Sequence, residues 1–302
     1  MRMINRRRFL IATGASLTGA GLMSRPNEAL AAGEPNNAIA ATLKRLESES
    51  GGRLGVAMLD TATGAQIGHR ADERFPMCST FKALAVSAVL KRVDAGKENL
   101  ERRIRFGKSD LVAYSPTTQG RIDGDGMSVA ELCEAAITLS DNTAANLLLA
   151  SLDGPAGVTA FVRTLGDQVT RLDRIEPALN EGKVGDPRDT TTPNAMASDF
   201  RSLVTGDALS SGSRDQLIAW LVGNKTGDTR LRAGLPPGWR VGDKTGTGEQ
   251  GTANDVAVIW PPQRAPIMLA VYLTQSSVSP ERKNAVIAAV AQAIAATIDR
   301  KG

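Results

Sequence analysis

Ser79 and Lys82 stand three residues apart in "MCSTFKAL", residues 77–84. At the start of a helix, positions i and i+3 share a face. A hydroxyl and an amine then sit together, and the N–H groups and positive dipole end of the helix face whatever Ser79 attacks. A serine nucleophile needs a base for its proton. The chain has one histidine, His69. It closes a short strand-like run in "AQIGHRADERF" and reads as exposed, which leaves a Ser-His-Asp triad without a good base. A catalytic zinc site needs several His or Cys ligands, and the chain offers 1 His and 2 Cys. The base must therefore be a lysine or a carboxylate. A lysine held near other cations loses its proton more readily, and a neutral lysine is a base. Alone, S-x-x-K is weak, because an N-cap serine followed by a solvated lysine has the same spelling.

Two further short motifs follow. Ser140-Asp141-Asn142 comes after the helical run "VAELCEAAITL", and Lys244-Thr245-Gly246 sits in a strand pattern. Around residues 170–192, "RLDRIEPALNEGKVGDPRDTTTP" is rich in charge and turn formers and has little periodicity. A loop this long inside a compact domain is usually functional or disordered. It carries Glu176 and Asn180, four apart. By itself Glu176 reads as a solvated loop charge.

The elements that must position these residues are legible in outline. Asn37 to Ser50 reads as an amphipathic helix, with Ile39, Leu43 and Leu46 on one face. "GGRLGVAMLDTATGAQIGHR" reads as a β-hairpin turning at Thr61-Ala62-Thr63-Gly64. "STFKALAVSAVLKRVDAG" reads as a helix with Ser79 in the N-cap region and Gly96 at its end. From about 98 to 221 the patterns are helical, with no convincing strand. "RVGDKTGTG", "NDVAVIWPP" and "APIMLAVYLT" return to strands, and a last helix covers about Glu281 to Arg300. The expected fold is α/β of the α+β kind: one antiparallel sheet built from both chain ends, with an all-helical lobe inserted. The sheet lobe is expected at about 37–70 and 222–302, and the helical lobe at about 71–221. No internal repeat or low-complexity linker is visible.

The first 31 residues differ from the rest. They have a basic start, a Gly/Ala-rich apolar middle and an A-x-A site at Ala29-Leu30-Ala31. This is the pattern of an export signal, and its middle, Phe9 to Met23, is too short to span a bilayer. Arg6-Arg7-Arg8-Phe9-Leu10 matches a twin-arginine signal; an ordinary Sec signal is the alternative. Export to the periplasm or the medium is expected, with 32–302 as the mature domain. No cysteine precedes Cys78, so no N-terminal lipid anchor is expected, and the mature chain has no apolar run of membrane-spanning length. The net charge of +4 equals the excess of Arg2, Arg6, Arg7, Arg8 and Arg25 over Glu28 in the signal, so the mature chain is near neutral. No basic stripe interleaved with aromatics marks a nucleic-acid surface.

In chain order the motifs read S-x-x-K, S-D-N, K-T-G. This trio is the known signature of class A β-lactamases and penicillin-binding proteins, so the match is a resemblance and not a derivation. "MCSTFK", "SDNTAANLLL" and "DKTGTG" resemble the class A β-lactamases closely, from about residue 37 to 300. The resemblance implies five antiparallel strands flanked by the terminal helices, with the active site between sheet and helical lobe. It makes Ser79 the nucleophile that forms an acyl-enzyme with a β-lactam. Glu176 becomes the base that aims a water at that ester, with Asn180 as the water's second anchor; no cofactor or metal is implied. The acylation base is left open between Lys82 and Glu176. Ser140 resembles the residue that passes a proton to the leaving nitrogen, and Asn142 the one that bonds the substrate's side-chain amide. Lys244, with Thr245 beside it, supplies positive charge near Ser140 and the substrate carboxylate. Gly246 lets the strand approach the ligand, and the N–H groups of Ser79 and Thr247 form an oxyanion hole. Tyr114 in "LVAYSP" matches an aromatic at the site mouth, or else packs inside. Arg174 and Asp189 match a pair that closes the loop neck, and the bond before Pro177 is cis in the family.

Two departures stand out. Many class A enzymes place a carboxylate-binding arginine where this chain has Ala253; Arg230 in "TGDTRLRAG" fits the slot a subgroup uses instead, with Arg232 as its structural neighbour. Neither family disulfide has its second cysteine: none lies near Val86 to pair with Cys133, and position 248 is glycine. Both cysteines are therefore expected to be free. The expected activity is hydrolysis of penicillins and cephalosporins by a monomer that clavulanate inhibits. The alternatives are a penicillin-binding DD-peptidase, which lacks the E-x-x-x-N loop, and a non-hydrolysing β-lactam-binding protein.

Overall fold

The computed structural model describes residues 33–299, and the expected signal at 1–31 lies outside them. In chain order the strands are β1 (Arg53–Asp60), β2 (Gln66–His69), β3 (Phe75–Pro76), β4 (Arg103–Ile104), β5 (Met127–Ser128), β6 (Thr190–Thr191), β7 (Arg240–Thr247), β8 (Ala253–Trp260) and β9 (Ile267–Thr274). Five of them form one sheet in the order β2-β1-β9-β8-β7. Each neighbouring pair is antiparallel, with Gly55 opposite Tyr272 and Thr245 opposite Asp255. The N-terminal hairpin thus completes a sheet begun by the C-terminal strands.

Side chains alternate across the sheet with period two. Leu54, Val56 and Met58 join Leu269, Val271 and Leu273 on one face, under α1 (Gly33–Ser50) and α9 (Pro280–Asp299). The expected helix face of Ile39, Leu43 and Leu46 is buried there. Ala57, Val256, Val258, Met268, Ala270 and Tyr272 take the other face and pack on the helices inserted between β2 and β7. Because both faces are covered, β9 is buried at all 8 positions and reads as a continuous apolar run.

The inserted helices are α2 (Phe81–Asp94), α3 (Val129–Thr138), α4 (Asn142–Ala150), α5 (Pro155–Thr164), α6 (Pro193–Val204) and α7 (Ser211–Val222); α8 (Leu231–Gly234) is a single turn before β7. Every residue of α2 from Phe81 to Leu90 is buried, so this helix is the axis of the lobe. It stops at Gly96, whose φ of +67° suits glycine. Side-chain caps start four of the others: Ser128 with Glu131 on α3, Asp141 on α4, Thr192 on α6 and Ser210 on α7; α5 starts instead at Gly154 with Pro155 in its first turn.

Two features depart from expectation. The helical stretch contains short strand pairs, β4 with β5 and β3 with β6. At two residues each they are too brief to show alternation. His69 is half-buried, not exposed: its Nε2 meets Glu47 Oε2 at 2.9 Å, across from α1.

Candidate active site

Ser79 lies in a 3₁₀ turn, Cys78–Thr80, that runs straight into α2. Its hydroxyl does not cap the helix as expected, since Thr80 holds the cap position without a side-chain bond. Three contacts fix the turn. Met77 N–H donates to Asp189 O at 2.9 Å. Asn254 Nδ2 on β8 donates to Pro76 O at 2.9 Å and Met77 O at 3.1 Å. Strand β7 and the residue after it press from the side: a Cβ on Gly246 would fall 2.7 Å from Met77 O, and one on Gly248, just past the strand, 2.6 Å from Cys78 Sγ. Gly246 therefore serves close approach to the turn that carries Ser79. Cys78, Tyr114, Ser140 and Asp189 all hold left-handed backbone (φ +46°, +62°, +58° and +57°), and strain of this kind collects at functional sites.

Around Ser79 the expected residues converge. Ser79 Oγ donates to Glu176 Oε1 at 3.2 Å. Lys82 Nζ lies 3.1 Å from the same oxygen. It also donates to Ser140 O (2.7 Å), Ser140 Oγ (3.3 Å) and Asn142 Oδ1 (2.6 Å). Lys244 Nζ donates to Ser140 Oγ at 3.0 Å from the opposite side. The Ser140 hydroxyl thus sits between two amines. Burial pushes both ammonium groups toward their neutral forms; Glu176 opposes this at Lys82, and the charge of Lys82 adds to it at Lys244.

Glu176 is fully enclosed. Its Oε2 accepts from Asn180 Nδ2 at 2.5 Å, while Asn180 Oδ1 is buried and accepts nothing from the described residues. The Glu176–Pro177 bond is cis. The loop neck closes where Arg174 Nε donates to Asp189 Oδ2 at 2.5 Å and the N–H groups of Asp173 and Arg174 donate to Asp189 Oδ1.

A cleft of about 580 Å³ opens over this cluster, lined by Ser79, Ser140, Asn142 and Asn180 on one side and by Thr245, Gly246 and Thr247 on the other. A slightly larger hollow, about 660 Å³, lies at Arg92, Glu98, Arg102 and Leu147, away from every catalytic candidate, so size alone does not mark the site. Tyr114 stands at the cleft 61 % exposed, which excludes a packing role. Arg230 is buried; it donates to Gly246 O (2.8 Å), Asn254 O (2.7 Å), Thr247 Oγ1 (2.7 Å) and Asn284 Oδ1 (3.0 Å). Arg232 turns away to Asp243 Oδ1 (2.6 Å) and to the carbonyls of Leu221 and Val222, as a structural residue. Both cysteines are free and buried.

Three positioning residues escaped the sequence reading. Asn146 clasps the backbone of Glu176 in both directions: its Oδ1 accepts Glu176 N–H and its Nδ2 donates to Glu176 O, each at 2.9 Å. Its signal was present, for Asn146 lies one helical turn after Asn142 in "SDNTAANLLL". Asp141 Oδ2 accepts the N–H groups of Thr117 and Thr118, tying the S-D-N turn to the Tyr114 segment. Asn254, described above, carried no motif.

Such a sheet and helical lobe, with a serine, two buried amines and a buried carboxylate at their seam, define a serine acyl-transfer hydrolase. The model of the β-lactamase enzyme family matches residues 38–298. The chain is 52 % identical over 258 residues to β-lactamase Toho-1 of Escherichia coli, covering 85 % of this chain and 88 % of that one. It is 55 % identical over 243 residues to β-lactamase AST-1 of Nocardia asteroides, covering 80 % and 78 %. Among solved structures, an ancestral (GNCA) class A β-lactamase is 68 % identical with a TM-score of 0.84, covering 85 % of this chain and 98 % of that one. The chain belongs to the β-lactamase enzyme family, and within it to the class A enzymes.

Proposed function

We propose that this enzyme opens the β-lactam ring of penicillins and cephalosporins through an ester on Ser79, which Glu176 then hydrolyses. The observation that carries this reading is the single oxygen, Glu176 Oε1, that meets both Ser79 Oγ at 3.2 Å and Lys82 Nζ at 3.1 Å. That contact supports Glu176 as the acceptor of the serine proton when Oγ attacks the lactam carbonyl. The N–H groups of Ser79 and Thr247 hold the oxyanion; losing one such donor costs about 3–4 kcal/mol. As the C–N bond breaks, the Ser140 hydroxyl gives its proton to the lactam nitrogen and is recharged from Lys82, which takes up the proton Glu176 received. Lys244, Thr245 and Arg230 hold the substrate carboxylate. Most N–H donors of Arg230 are engaged by the protein, so it acts through its charge and by bracing Thr247.

For the second half, a water between Glu176 and Asn180 Oδ1 gives its proton to Glu176 while its oxygen attacks the ester; Ser79 Oγ leaves and recovers the proton. The unpartnered Asn180 Oδ1 supports that water site. The reading extends to clavulanate-type inhibitors as acylating ligands and to action as a monomer. It also extends to export on the twin-arginine motif at Arg6 to Leu10. Turnover of a chromogenic cephalosporin by the purified mature chain tests it. Many turnovers per enzyme are expected; a stoichiometric adduct that persists would mean a penicillin-binding protein instead.

A further inference from the structure

The cleft carries a cation that no step above uses. Lys225 lines it beside Thr226 and Arg230 and is exposed. Its backbone is pinned from both lobes. Lys225 N–H donates to Thr138 O at 2.9 Å, at the end of α3. Thr226 Oγ1 meets Thr245 Oγ1 at 2.5 Å, and Thr226 N–H donates to Asn224 Oδ1 at 3.1 Å. Asn224 in turn donates to Asp243 on β7 at 2.6 Å. The bend that presents Lys225 is therefore locked to the strand that holds Lys244 and Thr245.

Among the described residues the amine itself has no acidic partner. The buried ion pairs nearby are Lys82–Glu176 and Arg232–Asp243, and neither involves Lys225. Asp228, three residues on, is exposed and does not line the cleft. No Asp or Glu is among the lining residues, and Lys225 and Arg230 are the two cations that are. Such a wall of one sign raises the local concentration of an anion of matching shape.

The geometry points to Lys225 as a specificity-determining residue that recognises a second negative charge on the substrate, carried by the substituent beyond the ring carboxylate. The ring carboxylate has Lys244, Thr245 and Arg230. An anionic group further along the same wall meets Lys225, whose pinned backbone and free side chain suit ligands of varied length. The enzyme is thereby biased toward dianionic β-lactams, such as cephalosporins with an acidic ring substituent. This inference rests on the β-lactamase reading.

The test compares two cephalosporins with the same acyl side chain, one with an uncharged ring substituent and one whose substituent bears a carboxylate. The readout is the ratio of kcat/KM, dianionic over monoanionic, for the parent, Lys225→Gln, Lys225→Glu and Lys225→Arg. Exposed charge pairs are weak, so the ratio should fall about threefold in Lys225→Gln and about tenfold in Lys225→Glu, through KM. Lys225→Arg should restore it, and added salt should lower it in the parent. A structural role for Lys225 would move both substrates together; a ratio unchanged across the variants overturns the inference. Failure of the parent to turn over either substrate would instead overturn the β-lactamase reading.

Discussion

Asn146 holds Glu176 by its main chain, with Oδ1 accepting Glu176 N–H and Nδ2 donating to Glu176 O, each at 2.9 Å. The carboxylate stands on a loop, yet a helix side chain sets its height over Ser79. In the proposed mechanism Glu176 must reach a proton to within hydrogen-bond distance, and the clasp is then a positioning element.

Asn146→Ala should lower kcat more than it changes KM, because the clasp fixes Glu176 and not the substrate. Two partly buried main-chain groups lose their partner, at about 1–3 kcal/mol each, so Tm should fall as well. Steady-state kinetics with thermal melts check this. An unchanged kcat at lowered Tm would reduce Asn146 to a stabilising residue.

The chemistry of the site was more legible than its scaffolding. Ser79, Lys82, Ser140, Asn142 and Lys244 sit in short motifs whose spacing survives in sequence, and the structure brings them together. Asn146 and Asn254 act through backbone contacts between distant segments, which no local pattern encodes. The hairpin, the three C-terminal strands and the terminal helices were readable because their apolar periods are long. Strands β3 to β6 were not, since two residues carry no period. His69 misled because Glu47, which covers it, lies 22 positions away.

Asp199 on α6 is buried, and the Asp167 carboxyl beside it adds to burial in raising its pKa to about 9. An unfolded chain would ionise Asp199 near 3.8. The folded state therefore keeps a proton that the unfolded state releases, and stability falls as pH rises between those values. Asp199→Asn cannot titrate. Its Tm relative to the parent should climb steadily from pH 5 to pH 9. A difference that does not vary with pH would contradict a proton held on Asp199 in the folded state.

Cys78 and Cys133 are both buried, and burial pushes each thiol far above its ordinary range. Thiol titration should find two equivalents in denaturant without reductant, and almost none in the native protein. One equivalent or fewer in denaturant would mean that the cysteines are oxidised.

A Cβ on Gly248, the residue after β7, would lie 2.6 Å from Cys78 Sγ and 2.7 Å from Asn180 O, so the strand end is packed against both the turn that carries Ser79 and the loop that carries Glu176. Gly248→Ala should displace one of the two and cost activity beyond any loss of stability. Activity and Tm equal to the parent would show that the seam is looser than its geometry.

The proposed mechanism has Glu176 drive deacylation of an ester on Ser79. Intact mass of Glu176→Ala during reaction with a chromogenic cephalosporin tests it most directly. A stable adduct of one acyl group, mapped to Ser79, is expected, formed more slowly than in the parent because Lys82 must take the serine proton in place of Glu176, with turnover abolished while the parent stays unmodified between turnovers. Sustained turnover by Glu176→Ala, or an adduct on another residue, would contradict it.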